Sequence, residues 1–193
     1  MNTFDKTKYH YTALFCEENI WKLIESNLAY SSMTPIDVLF IINQSNSIAL
    51  FEQHKSNGKQ AVIWDYHVVL SAEVNNNLVV FDFDSRCEFP CDINSYFNKT
   101  FARYNQLADH HQALLRPIKA DYYYQNFTSE RSHMLGLIPQ SEFPDYDIII
   151  PNGTTNLLTL ENCRALSSEI PESHILTPHA YLEKLNSTAK SNF

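Results

Sequence analysis

Ala61-Val62-Ile63-Trp64-Asp65-Tyr66-His67-Val68-Val69-Leu70 is rich in β-branched and aromatic residues, and it reads as a strand. Asn75-Asn76-Asn77 is a turn signal. Leu78-Val79-Val80-Phe81-Asp82-Phe83-Asp84 follows as a second β run. Two such runs around a polar turn predict an antiparallel hairpin. His67 then lies within one strand and Asp82 within the other, where side chains on one face can meet across the ladder. Asp84, two residues further on, shares the face of Asp82 and competes with it for His67.

Working outward from the hairpin, Ile20, Leu23, Ile24 and Leu28 recur at helical spacing from Glu17 to about Leu28, and Trp21 widens that face. Val38 to Ile42 is a continuous apolar run that reads as a buried strand. Asn43 to Ser47 reads as a turn and Ile48 to Phe51 as a further strand. Ser56-Asn57-Gly58-Lys59 is another turn. Ile93 to His111 reads as helical in part, and Leu114 to Ile118 as extended because Pro117 biases Arg116 away from helix. The last third is proline-rich and reads as loop, with a short helix near Ala180 to Leu185. The pattern is α+β, an early helix against a mostly antiparallel sheet, in one domain over residues 1–193, of which 135–193 are loop-rich.

Composition narrows the function classes. A net charge of −8 disfavours nucleic acid or an anionic membrane as the main partner, and admits a cationic ligand such as a protonated amine. Three glycines nearly exclude a phosphate-cradling glycine loop. No apolar run approaches the roughly 18 residues needed to cross a bilayer. The polar stretch Met1 to His10 is no secretory signal. Four cysteines (Cys16, Cys87, Cys91, Cys163) are too few for a disulfide scaffold, so reduced thiols in the cytoplasm are expected. A zinc site from Cys87, Cys91, His110 and His111 has workable spacing but little else in its favour.

Cys16 stands immediately before the helical pattern. There the helix dipole, with a nearby imidazolium, would lower its pKa, and unpaired N–H groups could hold an oxyanion. His67 could serve as base and acid, with Asp82 steering its ring. Taken singly, each has a plainer explanation. A lone cysteine near an aromatic is ordinarily a small buried hydrophobe, and a lone strand histidine is ordinarily structural.

Three segments weigh against the plainer explanation: Cys16-Glu17-Glu18-Asn19-Ile20-Trp21-Lys22-Leu23, Val62 to Leu70, and Arg131-Ser132-His133-Met134. Together they resemble the protein N-terminal glutamine amidohydrolases. Phe81 to Asp84, Phe89-Pro90-Cys91 and Ala120-Asp121 through Asn126-Phe127 follow in the same order, so the resemblance covers roughly residues 9–134. It departs at Glu130, where the family typically has Asp. The resemblance implies a papain- or transglutaminase-like α-β-α sandwich, a Cys-His-Asp triad at Cys16, His67 and Asp82, and a monomer without metal or organic cofactor. It also implies conversion of a free N-terminal Gln on proteins or peptides to Glu with loss of ammonia, a step of the N-degron pathway in eukaryotes. Such a substrate asks for an acidic group facing its α-ammonium, for which Glu17 or Glu18 is the candidate, while Trp64, Tyr66 and Phe127 could wall the slot. Arg131 is read as a structural bridge to an acidic residue, and His133 as structural or as a second polar group near the pocket. Rival readings are a deamidase or transglutaminase of internal glutamines, a cysteine protease, and a non-catalytic interaction module.

Overall fold

Strand β1 (Thr34–Ile42) is the element around which the rest is arranged. The computed structural model describes residues 4–28, 33–151, 153 and 155–191. Residues 38–42 of β1 are all buried, because both faces of the strand are covered. Val38, Phe40 and Ile42 point into one core, and Leu39 and Ile41 into the other, as the two-residue period of a strand requires.

β1 is flanked by β4 (His67–Val74) and β7 (Leu114–Lys119), both antiparallel to it. With β5 (Asn77–Phe81) and β6 (Cys91–Asp92) they form a sheet of order β6-β5-β4-β1-β7, antiparallel throughout. The first core joins the sheet to α1 (Cys16–Asn27), α3 (Ala120–Asn126) and α4 (Leu160–Arg164). The second joins it to α2 (Ile93–Thr100) and α5 (Pro178–Ser191). Helices therefore cover both faces of the sheet.

Buried polar pairings tie the last third to the sheet. Arg116, 1% exposed on β7, donates to the carbonyls of Ala165 and Ser168. The Tyr181 hydroxyl of α5 lies 2.7 Å from Ser71 Oγ on β4 and donates to Asp37 on β1. Among the described residues, no helix is long and apolar enough to cross a membrane.

The structure corrects several expectations. Ala61–Leu70 is not one strand. Its first half is β3 (Val62–Trp64), paired with β2 (Ile48–Leu50) in a separate two-stranded sheet. The chain bends at Asp65 and Tyr66 before β4 begins at His67. β5 stops at Phe81, so Asp82 lies just past the strand rather than within it. Leu28 is 59% exposed and caps α1 instead of joining its apolar face. The C-terminal helix is longer than expected, starting at Pro178 and ending at Ser191.

Candidate active site

The site is assembled where the start of α1, the start of β4 and the end of β5 meet. Cys16 is the first residue of α1. The turn before it is held in place: Leu14 takes a left-handed backbone (φ 71°), and Phe15 is fully buried. Asn19, one turn into the helix, reaches back and clasps Thr12 at both its N–H and its carbonyl, each at 2.8 Å. A non-glycine residue in that conformation costs about 1 kcal/mol or more, and persists where surrounding contacts over-determine it.

His67 is 1% exposed. Its Nε2 lies 2.8 Å from Asp82 Oδ1, while its Nδ1 is buried without a hydrogen-bond partner. Trp64 stacks on the ring at 5.2 Å between centroids and 19° between planes, and Lys55 lies over the other ring system of that stack, 4.3 Å from the Trp64 centroid. The bend at Asp65 and Tyr66 is what folds Trp64 back over His67.

Asp82 is held from several sides. Tyr96 of α2 donates to its Oδ2 at 2.8 Å, Gln53 donates to the same oxygen at 3.3 Å, and the Asp84 N–H donates to Oδ1 at 2.9 Å. Burial alone would raise the Asp82 pKa, but the charge and hydrogen bond of His67 and the Tyr96 hydroxyl outweigh it and bring it down to about 2. Burial likewise opposes a charged His67, yet the adjoining Asp82 carboxylate leaves its pKa above the ordinary histidine value.

The Cys16 thiol departs from the sequence reading. Burial, then the charges of Glu17 and Asp84, push its pKa well above the ordinary value, with the Val68 N–H acting in the opposite direction. Burial outweighs the helix start, and Glu17 Oε2, which accepts from the S–H at 3.5 Å, adds to it. Glu17 itself is buried and accepts from the Tyr66 hydroxyl at 2.9 Å, and burial pushes its carboxyl up to about 7.

Cys16, Trp64, Tyr66, Asp84, His133 and Leu137 are among the residues lining one cavity of about 350 Å³. Ligand pockets run from about 300 to 1,000 Å³, so this one suits a single side chain with its immediate backbone.

The sequence of the whole region matches the model of the N-terminal glutamine amidase family over residues 11–175. The chain belongs to that family. The family match extends past the resemblance at residues 9–134 and takes in α4. Relatives named protein N-terminal glutamine amidohydrolase include one from Danio rerio, 36% identical over 127 residues, which are 64% of this chain and 63% of that protein. The Homo sapiens relative is 35% identical over 127 residues, 64% of this chain and 62% of its own length. A Drosophila willistoni relative is 33% identical over 156 residues, 77% and 75%. The matched stretch thus spans less than two thirds of the vertebrate relatives.

The other candidate residues separate. Trp64 and Tyr66 line the cavity. Phe127 does not: it is fully buried, stacked on Tyr123 in the core under α3. Glu18 is turned to Arg131, which binds it in bidentate fashion at 2.9 and 2.7 Å, so Arg131 is the structural bridge. His133 lines the cavity, and both its ring nitrogens are buried without a partner. The proposed zinc ligands are not gathered. His111 contacts Ser47, and the one group of His, Cys, Asp and Glu within mutual ligating reach among the described residues is His67, Asp82 and Asp84.

Sequence reasoning missed Tyr96, Gln53 and Tyr11. Tyr96 and Gln53 hold Asp82, and the Tyr11 hydroxyl donates to Asp84 at 2.7 Å. Nothing in the local pattern marks them. They lie 14, 29 and 73 residues from their partners and reach them only through the folded chain.

Proposed function

We propose that this chain removes the side-chain amide of an N-terminal Gln on proteins or peptides, giving Glu and ammonia through a Cys16–His67–Asp82 triad. The observation that carries the reading is the His67 ring: anchored to Asp82 through Nε2, left with an unpartnered Nδ1, and overlaid by Trp64, which lines the same cavity as Cys16. Family membership supports the same substrate class. The proposal includes a papain- or transglutaminase-like α-β-α sandwich and a whole chain forming one cytoplasmic, monomeric domain. The layering of helices on both faces of the sheet and the free state of all four cysteines accord with it.

In this reaction the Cys16 S–H gives its proton to His67 Nδ1 as the sulfur attacks the amide carbon. Because the thiol rests neutral, proton transfer accompanies attack rather than preceding it. The first-turn N–H groups of α1, which have no acceptor within the helix, hold the oxyanion. The C–N bond breaks, His67 protonates the departing nitrogen, and ammonia leaves a thioester. Water then attacks the thioester carbon as His67 takes its proton. The thiolate leaves and is reprotonated, and Glu is released. Thiol, imidazole and carboxylate supply nucleophile, base and anchor, so the sequence of steps calls for no metal or organic cofactor. Asn is one methylene shorter, and a misplacement of that order costs about 10²-fold.

The test is ammonia release from peptides beginning Gln, Asn or acetyl-Gln, with the Cys16→Ala protein as control. Release from Gln alone, abolished by Cys16→Ala, is expected. Equal release from acetyl-Gln would transfer the assignment to a deamidase of internal glutamines, and full activity of Cys16→Ala would remove the triad.

A further inference from the structure

The carboxylates near Cys16 differ in what holds them. Glu18 is clamped by Arg131, and Asp65 pairs with Arg164 at 3.3 Å. Glu17 accepts from Tyr66, and Asp82 is enclosed by His67, Tyr96, Gln53 and the Asp84 amide. Asp84 is different. It lines the cavity together with Cys16 yet is only 8% exposed. The Tyr11 hydroxyl fixes its Oδ1 at 2.7 Å, and Tyr11 is in turn stacked on Phe83 at 5.8 Å and 23°. Among the described residues, no donor reaches Oδ2 and no cation forms an ion pair with Asp84; Lys6 senses its charge from beyond that range. The nearest basic group is the His67 ring, with a nitrogen within 4.8 Å of the Asp84 carboxylate but already hydrogen-bonded to Asp82, so a cation arriving with a ligand would supply the contact partner that Asp84 lacks.

We propose that Asp84 is the receptor for the α-ammonium of the substrate, with Tyr11 holding the carboxylate so that its second oxygen faces the cavity. This inference rests on the deamidation reading above. It reassigns the ammonium-binding role from Glu17 and Glu18, whose carboxylates are already engaged by Tyr66 and Arg131. In a glutamine residue the side-chain amide carbon and the α-nitrogen are separated by three carbon–carbon bonds and one carbon–nitrogen bond, a reach of roughly 5 Å. Cys16 and Asp84 border a single cavity on that scale, so one residue can present its amide to the sulfur and its amine to the carboxylate. Acylating the amine, or burying it in a peptide bond, removes the charge that Asp84 selects.

The distinguishing measurement compares ammonia release from a free Gln peptide with that from the matching glutaramoyl peptide, in which hydrogen replaces the α-amine. The wild type should favour the amine-bearing peptide by about 100-fold in kcat/KM. Asp84→Asn should reduce that preference to a few-fold, mainly through KM on the free peptide. Tyr11→Phe, a change at a half-exposed ring that leaves the core alone, should reduce it part of the way. Thermal melts confirm that each variant is folded. Should Asp84→Asn keep the wild-type preference, or depress both peptides equally through kcat, the ammonium assignment fails and Asp84 serves His67 instead. If the wild type released ammonia from neither peptide, the deamidation reading would fall and this inference with it, an outcome no Asp84 variant can mimic.

Discussion

His67 Nε2 lies 2.8 Å from Asp82 Oδ1, although the register of the sheet would have set Asp84 opposite the imidazole. β4 and β5 pair Leu70 with Phe81, and three further steps along that ladder would place His67 against Asp84. The ladder ends at Phe81, and the Asp84 N–H folds back onto the Asp82 carboxylate at 2.9 Å, a turn typical of aspartate. That turn puts Asp82 in hydrogen-bond contact with the ring and leaves Asp84 on the cavity wall, its carboxylate still within 4.8 Å of a His67 nitrogen.

Asp82→Asn should therefore lower kcat by about 10³- to 10⁴-fold with little change in KM, because an amide cannot fix the imidazole tautomer or balance its charge. Steady-state kinetics on a Gln peptide check this. A larger kcat loss for Asp84→Asn than for Asp82→Asn would exchange the two assignments.

Tyr96→Phe removes one hydrogen bond to the charged Asp82 and leaves the ring packing intact. Such a bond contributes about 1.5–3 kcal/mol, so kcat should fall by roughly 10- to 100-fold. An unchanged kcat would mean that Gln53 and the Asp84 amide hold the carboxylate without Tyr96.

Glu17 bears on the thiol directly. After burial, its charge is the largest influence raising the Cys16 pKa. Glu17→Gln should make Cys16 more acidic and speed its alkylation by iodoacetamide at neutral pH by several-fold, while Cys163, fully buried, stays unreactive. Mass spectrometry of the labelled cysteines reads both rates, and slower labelling of Cys16 would contradict the electrostatic account.

The same carboxyl shapes stability against pH. Its folded pKa of about 7 lies above the ordinary 4.5, so the folded protein binds more protons than the unfolded chain between those values. The Glu17 contribution is present in full below about 4.5 and is lost as pH rises through 7. Asp82 runs the other way: its contribution is present above the ordinary 3.8 and is lost as pH falls toward 2. Relative to wild type, Glu17→Gln should gain Tm progressively from pH 4.5 to 7. Parallel melting curves for the two proteins across that window would refute the assignment.

Arg131→Ala strands the buried Glu18 carboxylate, whose side chain is 1% exposed. Breaking a buried pair in this way costs about 3–5 kcal/mol, and Tm should fall by roughly 6–20 °C. The double variant Arg131→Ala with Glu18→Gln should recover part of that loss, and calorimetry of the pair tests the coupling.

By itself, the amino-acid order determined the α+β class, the helix behind Cys16, the buried strand β1 and the hairpin from His67 to Phe81. Those features follow from period and turn chemistry, which are local. Cys16, His67 and Asp82 stood out through their resemblance to a known family, and their backbone positions lie close to where the pattern placed them. Only the tertiary structure decided that Ala61–Leu70 breaks at Asp65, because both halves are good β sequence and the break is set by which partner each half pairs with: β2 for Trp64, β1 for His67. It also decided that Phe127 is core, that Glu17 and Glu18 already have partners, and that Tyr96 and Tyr11 hold the two aspartates. Hydrogen bonds between residues far apart in the chain leave no periodic trace in it, and burial sets their strength only once the layers have closed.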